Sequence, residues 1–189
     1  MRRTATPDLR LARRVVDFIG DRRGLSAVEF ALLLPLMLTL YLGGVEVSNG
    51  VAANRKVAIT ARTVSDLAAR MTTIYNADMT NILGASSAVI APYSVSNLKV
   101  TVSEVNIDNK GKATIAWSDS LNGTAHSVGQ TVTVPAALVV PNTATSLILG
   151  EVQYNYNPTF GYVLTGTMTL KSQMYMTPRL SSTVQRNNS

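Results

Sequence analysis

The sequence predicts an α+β protein in which a long N-terminal helix, first apolar and then amphipathic, packs against a small antiparallel sheet. Two observations support this prediction. A 21-residue apolar run at residues 25–45 continues into an amphipathic helical pattern, and beyond Pro92 the apolar period changes to that of strands. With 189 residues, the chain is long enough for one domain in addition to this helix.

Positive charge is concentrated at the N-terminus. The formal net charge is +6, and residues 1–24 account for +4 of it, because they contain seven arginines and three aspartates. Nucleic-acid binding needs a basic face on the folded domain, so the pI of about 9.8 does not indicate a nucleic-acid partner, and we expect none. The lack of cysteine excludes disulfides and thiolate chemistry without indicating a compartment.

The apolar run has the length of a membrane span. It reads LSAVEFALLLPLMLTLYLGGV, and at a rise of roughly 1.5 Å per residue it covers about the thickness of a bilayer core. Because the arginines precede it, the positive-inside rule places residues 1–24 in the cytoplasm and exports the C-terminal part. A cleaved secretory signal is the rival interpretation, but the long basic region, the full-length span and Glu29 weigh against it. The site around Gly50 is also a poor cleavage candidate.

Glu29 is the one charge within this run. A carboxylate inside an apolar helix costs roughly 2.5–3.5 kcal/mol on insertion scales, so it needs a partner. A cut after Gly24 would create an ammonium group on Leu25, four residues and one helical turn before Glu29, which would neutralise the carboxylate. The alternative is that Glu29 lies at the headgroup level and is solvated. These considerations alone favour neither.

The residues around Glu29 form a recognisable motif. The stretch RRGLSAVEFAL, Arg22 to Leu32, resembles a class IV prepilin processing site, in which a basic leader ends in glycine and glutamate occupies the fifth mature position. The sequence RRGLSAVEFALLLP resembles the corresponding segment of TadE-like pseudopilins (minor pilins) of the tight-adherence (Flp) type IVb pilus. The resemblance implies that a prepilin peptidase cuts between Gly24 and Leu25 and that Glu29 serves processing or assembly. The flanking motif residues are Arg22, Arg23, Phe30 and Pro35.

The resemblance also implies a function. Major Flp pilins are short and usually carry tyrosine after the glutamate, whereas Phe30 stands here and a large domain follows. This favours a minor pseudopilin that takes part in assembly, initiation or capping of the pilus, and hence in surface attachment. The implied partners are the prepilin peptidase, other pilin-like subunits through the first helix, the inner-membrane assembly platform and membrane lipid. The alternative is an uncleaved, membrane-anchored exported binding module.

The implied location is the bacterial inner membrane, crossed once, with the N-terminus cytoplasmic and the C-terminal domain periplasmic; incorporation into the extracellular pilus remains open. The transmembrane part of the helix is expected at residues 25–47, and an amphipathic continuation at residues 48–76. Spacings of four and three predict that continuation, with an apolar stripe formed by Val57, Ala61, Val64, Ala68, Met71 and Tyr75.

Residues 77–189 are expected to form the exported α+β domain. A short helix is predicted from Asp78 to Ala91, and the tail from Ser181 to Ser189 is expected to be loose. Tyr154 and Tyr156 should share one strand face in a packing role. The predicted strands are Leu98 to Val105 and Ala113 to Trp117 as a hairpin, then Thr131 to Val134, Ile148 to Tyr156 and Thr167 to Met176.

The sequence shows no convincing grouping of catalytic or metal-binding residues, so neither an enzyme nor a cofactor or metal site is expected. His126 is the single histidine, which excludes a two-histidine metal site within one chain, and its polar surroundings predict a surface loop. The acidic residues beyond the membrane run are scattered singly. The chain is expected to be a substrate of the peptidase.

Overall fold

The structure is a computed structural model that describes residues 23–159 and 166–189. All but the last two residues of the expected leader, 1–24, lie outside the described residues. The chain divides into two compact units, Met1–Val45 and Glu46–Ser189.

The described elements are two helices, six strands and two short 3-10 turns. Helix α1 spans Arg23–Ala69 and α2 spans Asn76–Ile90; the strands are β1 Thr73–Ile74, β2 Leu98–Ile107, β3 Ala113–Leu121, β4 Thr145–Tyr156, β5 Met168–Met176 and β6 Gln185–Arg186; the 3-10 turns are Val95–Asn97 and Ala136–Leu138.

The second unit confirms the α+β prediction. Four strands form an antiparallel sheet in the order β3-β2-β4-β5, and the part of α1 within this unit packs on one face of it. The predicted stripe is buried over its first four members, because apolar side chains at spacings of four and three share one helix face. These fully buried residues are Val57, Ala61, Val64 and Ala68.

Helix and sheet approach closely at Gly150 of β4. A Cβ atom on Gly150 would lie 2.1 Å from the Ser65 hydroxyl oxygen and 2.9 Å from the Ala61 carbonyl oxygen. Only glycine allows this approach of α1 to the strand. Further along β4, Tyr154 and Tyr156 are both buried in the core, which confirms their predicted packing role.

Helix α1 ends earlier than its apolar stripe predicts. It stops at Ala69 instead of about residue 75, so Met71 is only half-buried and Tyr75 is exposed. The reason is a long-range pairing, since Thr73–Ile74 lies parallel to Gln185–Arg186 in a two-stranded sheet. Helical periodicity in the sequence carries no information about that partner.

The second helix and the hairpin follow the predictions. Helix α2 begins within two residues of Asp78, whose carboxylate accepts the Tyr75 N–H at 3.0 Å. In the turn between β2 and β3, the Asp108 side chain accepts two backbone N–H groups, and Gly111 adopts a φ of 82°. The hairpin is therefore closed by local turn chemistry that the sequence displays.

The strand predicted at Thr131 to Val134 does not form. This stretch makes only an isolated bridge between Thr114 and Thr131. Val132 and Val134 instead pack on a second apolar cluster, on the sheet face opposite α1. The alternation of apolar residues therefore reflects burial of a covering loop and not strand pairing. The members of the cluster are Val105, Ile107, Ala113, Ile115, Leu147 and Leu149.

The prediction of a loose tail is wrong. Val184 is fully buried, its N–H donates to the Glu104 carboxylate at 2.8 Å, and its carbonyl accepts the Trp117 indole N–H at 2.6 Å. Glu104 and Trp117 are opposite each other on β2 and β3, so one cross-strand pair holds both backbone groups of Val184. Arg186 adds an ion pair with Asp119 at 2.9 Å.

Glu104→Leu is expected to release the tail and destabilise the second unit by about 1–3 kcal/mol, because the buried Val184 N–H loses its acceptor. Thermal unfolding followed by the fluorescence of Trp117, the single tryptophan, would measure the loss. Glu104→Gln keeps an accepting oxygen and should lose less. An equal loss in both variants would contradict the role of this hydrogen bond.

Candidate functional site: the first helix

The motif residues of the predicted processing site lie in α1. Gly24 and Leu25 are helical, and Glu29 follows Leu25 by four residues, one turn along the same face. Phe30 and Pro35 lie in the same helix, and the Pro35 carbonyl accepts the Thr39 hydroxyl at 2.8 Å. Arg22 lies outside the described residues, and of Arg23 only the backbone is described.

The first part of α1 presents an apolar surface. The helix contains an 18-residue window that is apolar enough to cross a membrane, and none of that window is buried. Leu25, Phe30 and Leu40 are each more than half exposed. Such a surface needs lipid or other apolar helices around it. The helix is therefore compatible with a single-pass membrane anchor.

Glu29 is exposed on this apolar helix. Among the residues that the structure describes, no cation pairs with it. Among the predicted sources of a compensating charge is the terminus that a cut after Gly24 would create.

Gly24 has no packing reason to be glycine within the described structure. A Cβ atom built there meets no heavy atom within 4 Å. A peptidase binds extended backbone and the bond after Gly24 lies in a helix, so cleavage at the predicted site would require that helix to open locally. Glycine lowers the cost of that opening by roughly 1 kcal/mol relative to alanine. Glycine is therefore the residue type expected at a position where a peptidase would have to bind the backbone.

Glu46, at the start of the second unit, serves as an acceptor that sequence reasoning missed. Its carboxylate accepts the Thr159 N–H at 2.8 Å and the Tyr156 hydroxyl at 3.3 Å. Burial, followed by the nearby Glu46 carboxylate, raises the pKa of Tyr156 above its ordinary value. Glu46 therefore contributes to the fold by tying α1 to the end of β4.

The other acidic residues that appear isolated in the sequence also have partners. Asp66 pairs with both Arg70 and Arg179, and Asp119 pairs with Arg186. Several of these partners lie far along the chain, which is why the sequence did not reveal them. The carboxylates that accept hydrogen bonds or ion pairs are Glu46, Asp66, Asp78, Glu104, Asp108, Asp119 and Glu151.

His126 lies in a loop, as predicted, but it is half-buried instead of freely solvated. Its Nε2 atom is 2.5 Å from a carboxylate oxygen of Glu151, and its backbone N–H donates to the Ser118 hydroxyl. No cluster of three or more metal-ligating side chains occurs among the described residues.

An exposed apolar helix that continues into a helix-on-sheet unit defines a protein of pilin-like α+β layout. Residues 24–66 match the family model of TadE-like proteins, so this first-helix segment is TadE-like. Proteins of that family are structural components of the Tad pilus system, and the likeness is limited to this first-helix segment. The matched segment begins at Gly24, directly before the predicted cut, and ends before the first strand of the sheet. Neither the curated proteins nor the solved structures contain a significant match.

Proposed function

We propose that the protein is a minor pseudopilin of the Tad (Flp) pilus, cut after Gly24 and joined to other pilin-like subunits through its first helix. The observation that carries this proposal is the TadE-like match over residues 24–66, within which Glu29 stands on an exposed apolar helix. In this role the chain serves the assembly, initiation or capping of the fibre, and hence surface attachment.

The cut would supply a positive charge close to Glu29. The new ammonium group on Leu25 would lie one turn from Glu29, or within reach of Glu29 in a neighbouring subunit. In a membrane or among packed helices the effective dielectric is low, so opposite charges attract more strongly than in water. Processing would thereby make an otherwise costly carboxylate into a contact that favours helix-to-helix association.

The exposed apolar surface supports the proposed partners. Lipid would cover α1 before assembly, with the arginine-rich leader on the cytoplasmic side and the sheet domain in the periplasm. The helices of other pilin-like subunits would cover it afterwards. The prepilin peptidase and the inner-membrane assembly platform complete the set of proposed partners.

Glu29→Ala is expected to abolish or strongly reduce pilus assembly while the protein remains inserted and abundant, because the compensating contact with the Leu25 ammonium is lost. Electron microscopy would count pili, and immunoblots of membrane fractions would report abundance and processing. Thr39→Ala is the matched control, since Thr39 is in the same exposed helix and its hydroxyl donates to the Pro35 carbonyl one turn earlier. Normal piliation with Glu29→Ala would instead favour a membrane-anchored module that does not enter a filament.

A further inference from the structure

The sheet face opposite α1 is covered over only part of its length. The apolar cluster around Val105 and Leu149 lies beneath the loop that contains Val132 and Val134. Beside that cluster, polar side chains line an open cleft of about 290 Å³. Its floor comes from β2, β4 and β5, and one wall comes from the loop after β3. The side chains that matter for the argument are Lys99, Thr101, Glu151, Gln153, Lys171 and Gln173.

The strand register places two lysines in one row. Lys99 on β2 is opposite Gln153 on β4, and Gln153 is opposite Lys171 on β5. Since neighbouring strands lie roughly 4.8 Å apart, the backbones that carry the two lysines are about 10 Å apart. Both lysines are exposed, and neither forms an ion pair within the described ranges 23–159 and 166–189.

The one carboxylate in the cleft is already engaged. One oxygen of Glu151 is 2.5 Å from His126 Nε2, and the other accepts the Gln173 amide at 2.8 Å. Glu151 therefore has a partner on each oxygen, but it keeps its negative charge and offsets part of the charge of the two lysines. Two ammonium groups therefore outnumber one carboxylate among the amides and hydroxyls that line the cleft.

Of the two lysines, Lys171 lies on an edge strand of the sheet and Lys99 lies on an interior strand. A lysine on an edge strand deters unwanted strand pairing, and β5 is at the edge of the sheet, so Lys171 fits that role. Strand β2 lies between β3 and β4, where no edge needs protection. Protection of an edge therefore accounts for Lys171 but not for Lys99, which lies on the solvent-facing side of an antiparallel sheet.

We propose that this cleft binds an acidic polysaccharide, a polymer that carries carboxylates on hydroxyl-bearing sugar rings. The ammonium groups of Lys99 and Lys171 would form charge-assisted hydrogen bonds with carboxylates along the polymer. The amides of Gln153 and Gln173 and the hydroxyl of Thr101 both donate and accept, which is the capacity that sugar hydroxyls require. The inference goes beyond the proposed function, because it concerns the sheet domain and does not depend on the cut.

The test uses the full chain in detergent micelles and polygalacturonate fragments as the probe, with binding measured by interferometry. The Lys99→Gln/Lys171→Gln variant is expected to bind about tenfold more weakly at low salt, because two charge-assisted contacts are lost. Binding by the unaltered protein should also weaken as salt is added. The matched control is Lys110→Gln/Lys112→Gln, which removes the same charge from the exposed β2–β3 turn and should change the Kd less than about twofold.

Three outcomes would overturn the proposal. They are no binding of polygalacturonate by the unaltered protein, an equal loss in both double variants, and equally tight binding of polyglutamate, which would indicate an acidic polypeptide as the ligand. Dextran, a neutral polysaccharide, controls for binding through hydroxyls alone. The fluorescence of buried Trp117 verifies that each variant is folded. Failure here would leave processing after Gly24 untouched, so the two proposals fail independently.

Discussion

Gly24→Arg is expected to leave the chain at full length in cells, whereas the unaltered protein is expected to begin at Leu25. Arginine would place a long charged side chain where the peptidase must approach the backbone, and it would favour the helix that has to open. Intact mass and N-terminal sequencing of protein purified from its native membrane would read the outcome directly. The expected effect is close to complete, because it blocks a single peptide cut.

Gly84→Arg is the matched control for this substitution. Gly84 is also a helical glycine, and a Cβ atom there likewise meets nothing within 4 Å. It adds the same charge and bulk outside the motif, so normal processing is expected. Unchanged processing of Gly24→Arg would rule out the assigned site, and an unaltered protein that still begins at Met1 would favour the anchored binding module.

Gly150→Val is expected to destabilise the second unit by about 3 kcal/mol, through overpacking between α1 and β4. The Ser65 hydroxyl could rotate away from the new Cβ atom, but the Ala61 carbonyl oxygen, at 2.9 Å, belongs to the helix backbone and cannot. The helix would have to move off the sheet. Urea unfolding of the full chain in detergent, followed by Trp117 fluorescence, would measure the loss as a lower midpoint.

Gly84→Ala is the control for Gly150→Val. It adds a methyl group in open space on α2, where alanine is a better helix former by up to about 1 kcal/mol. A small gain in stability is therefore expected. A Gly150→Val variant with the same unfolding midpoint as the unaltered protein would contradict the close packing of α1 on β4.

Much of the fold can be predicted from local pattern. The span at residues 25–45, helix α2, the β2–β3 hairpin and strands β4 and β5 each have a period or a turn residue that reports burial or turn geometry directly. The motif from Gly24 to Glu29 is equally local. A cleavage site is read as a short stretch of backbone and side chains, so a short stretch of sequence is enough to predict it.

The tertiary structure decided the features that depend on distant partners. Val184 is held by Glu104, which lies 80 positions before it in the chain, and by Trp117, which lies 67 positions before it. Periodicity could not predict this contact, because the identity of a residue does not state which remote group will satisfy it. The early end of α1 at Ala69 and the engagement of His126 with Glu151 have the same origin.

The sequence by itself therefore determined the long apolar helix and the helix-on-sheet class, and it predicts the processing motif, since each depends on neighbouring residues and on the direction in which they are buried. Only the tertiary structure decided that the tail is held in the core, that the acidic residues beyond the membrane run have partners, and that Lys99 and Lys171 share one row. The physical reason is that hydrogen bonds, ion pairs and strand register join residues far apart in the chain, and they are specified by the packed whole.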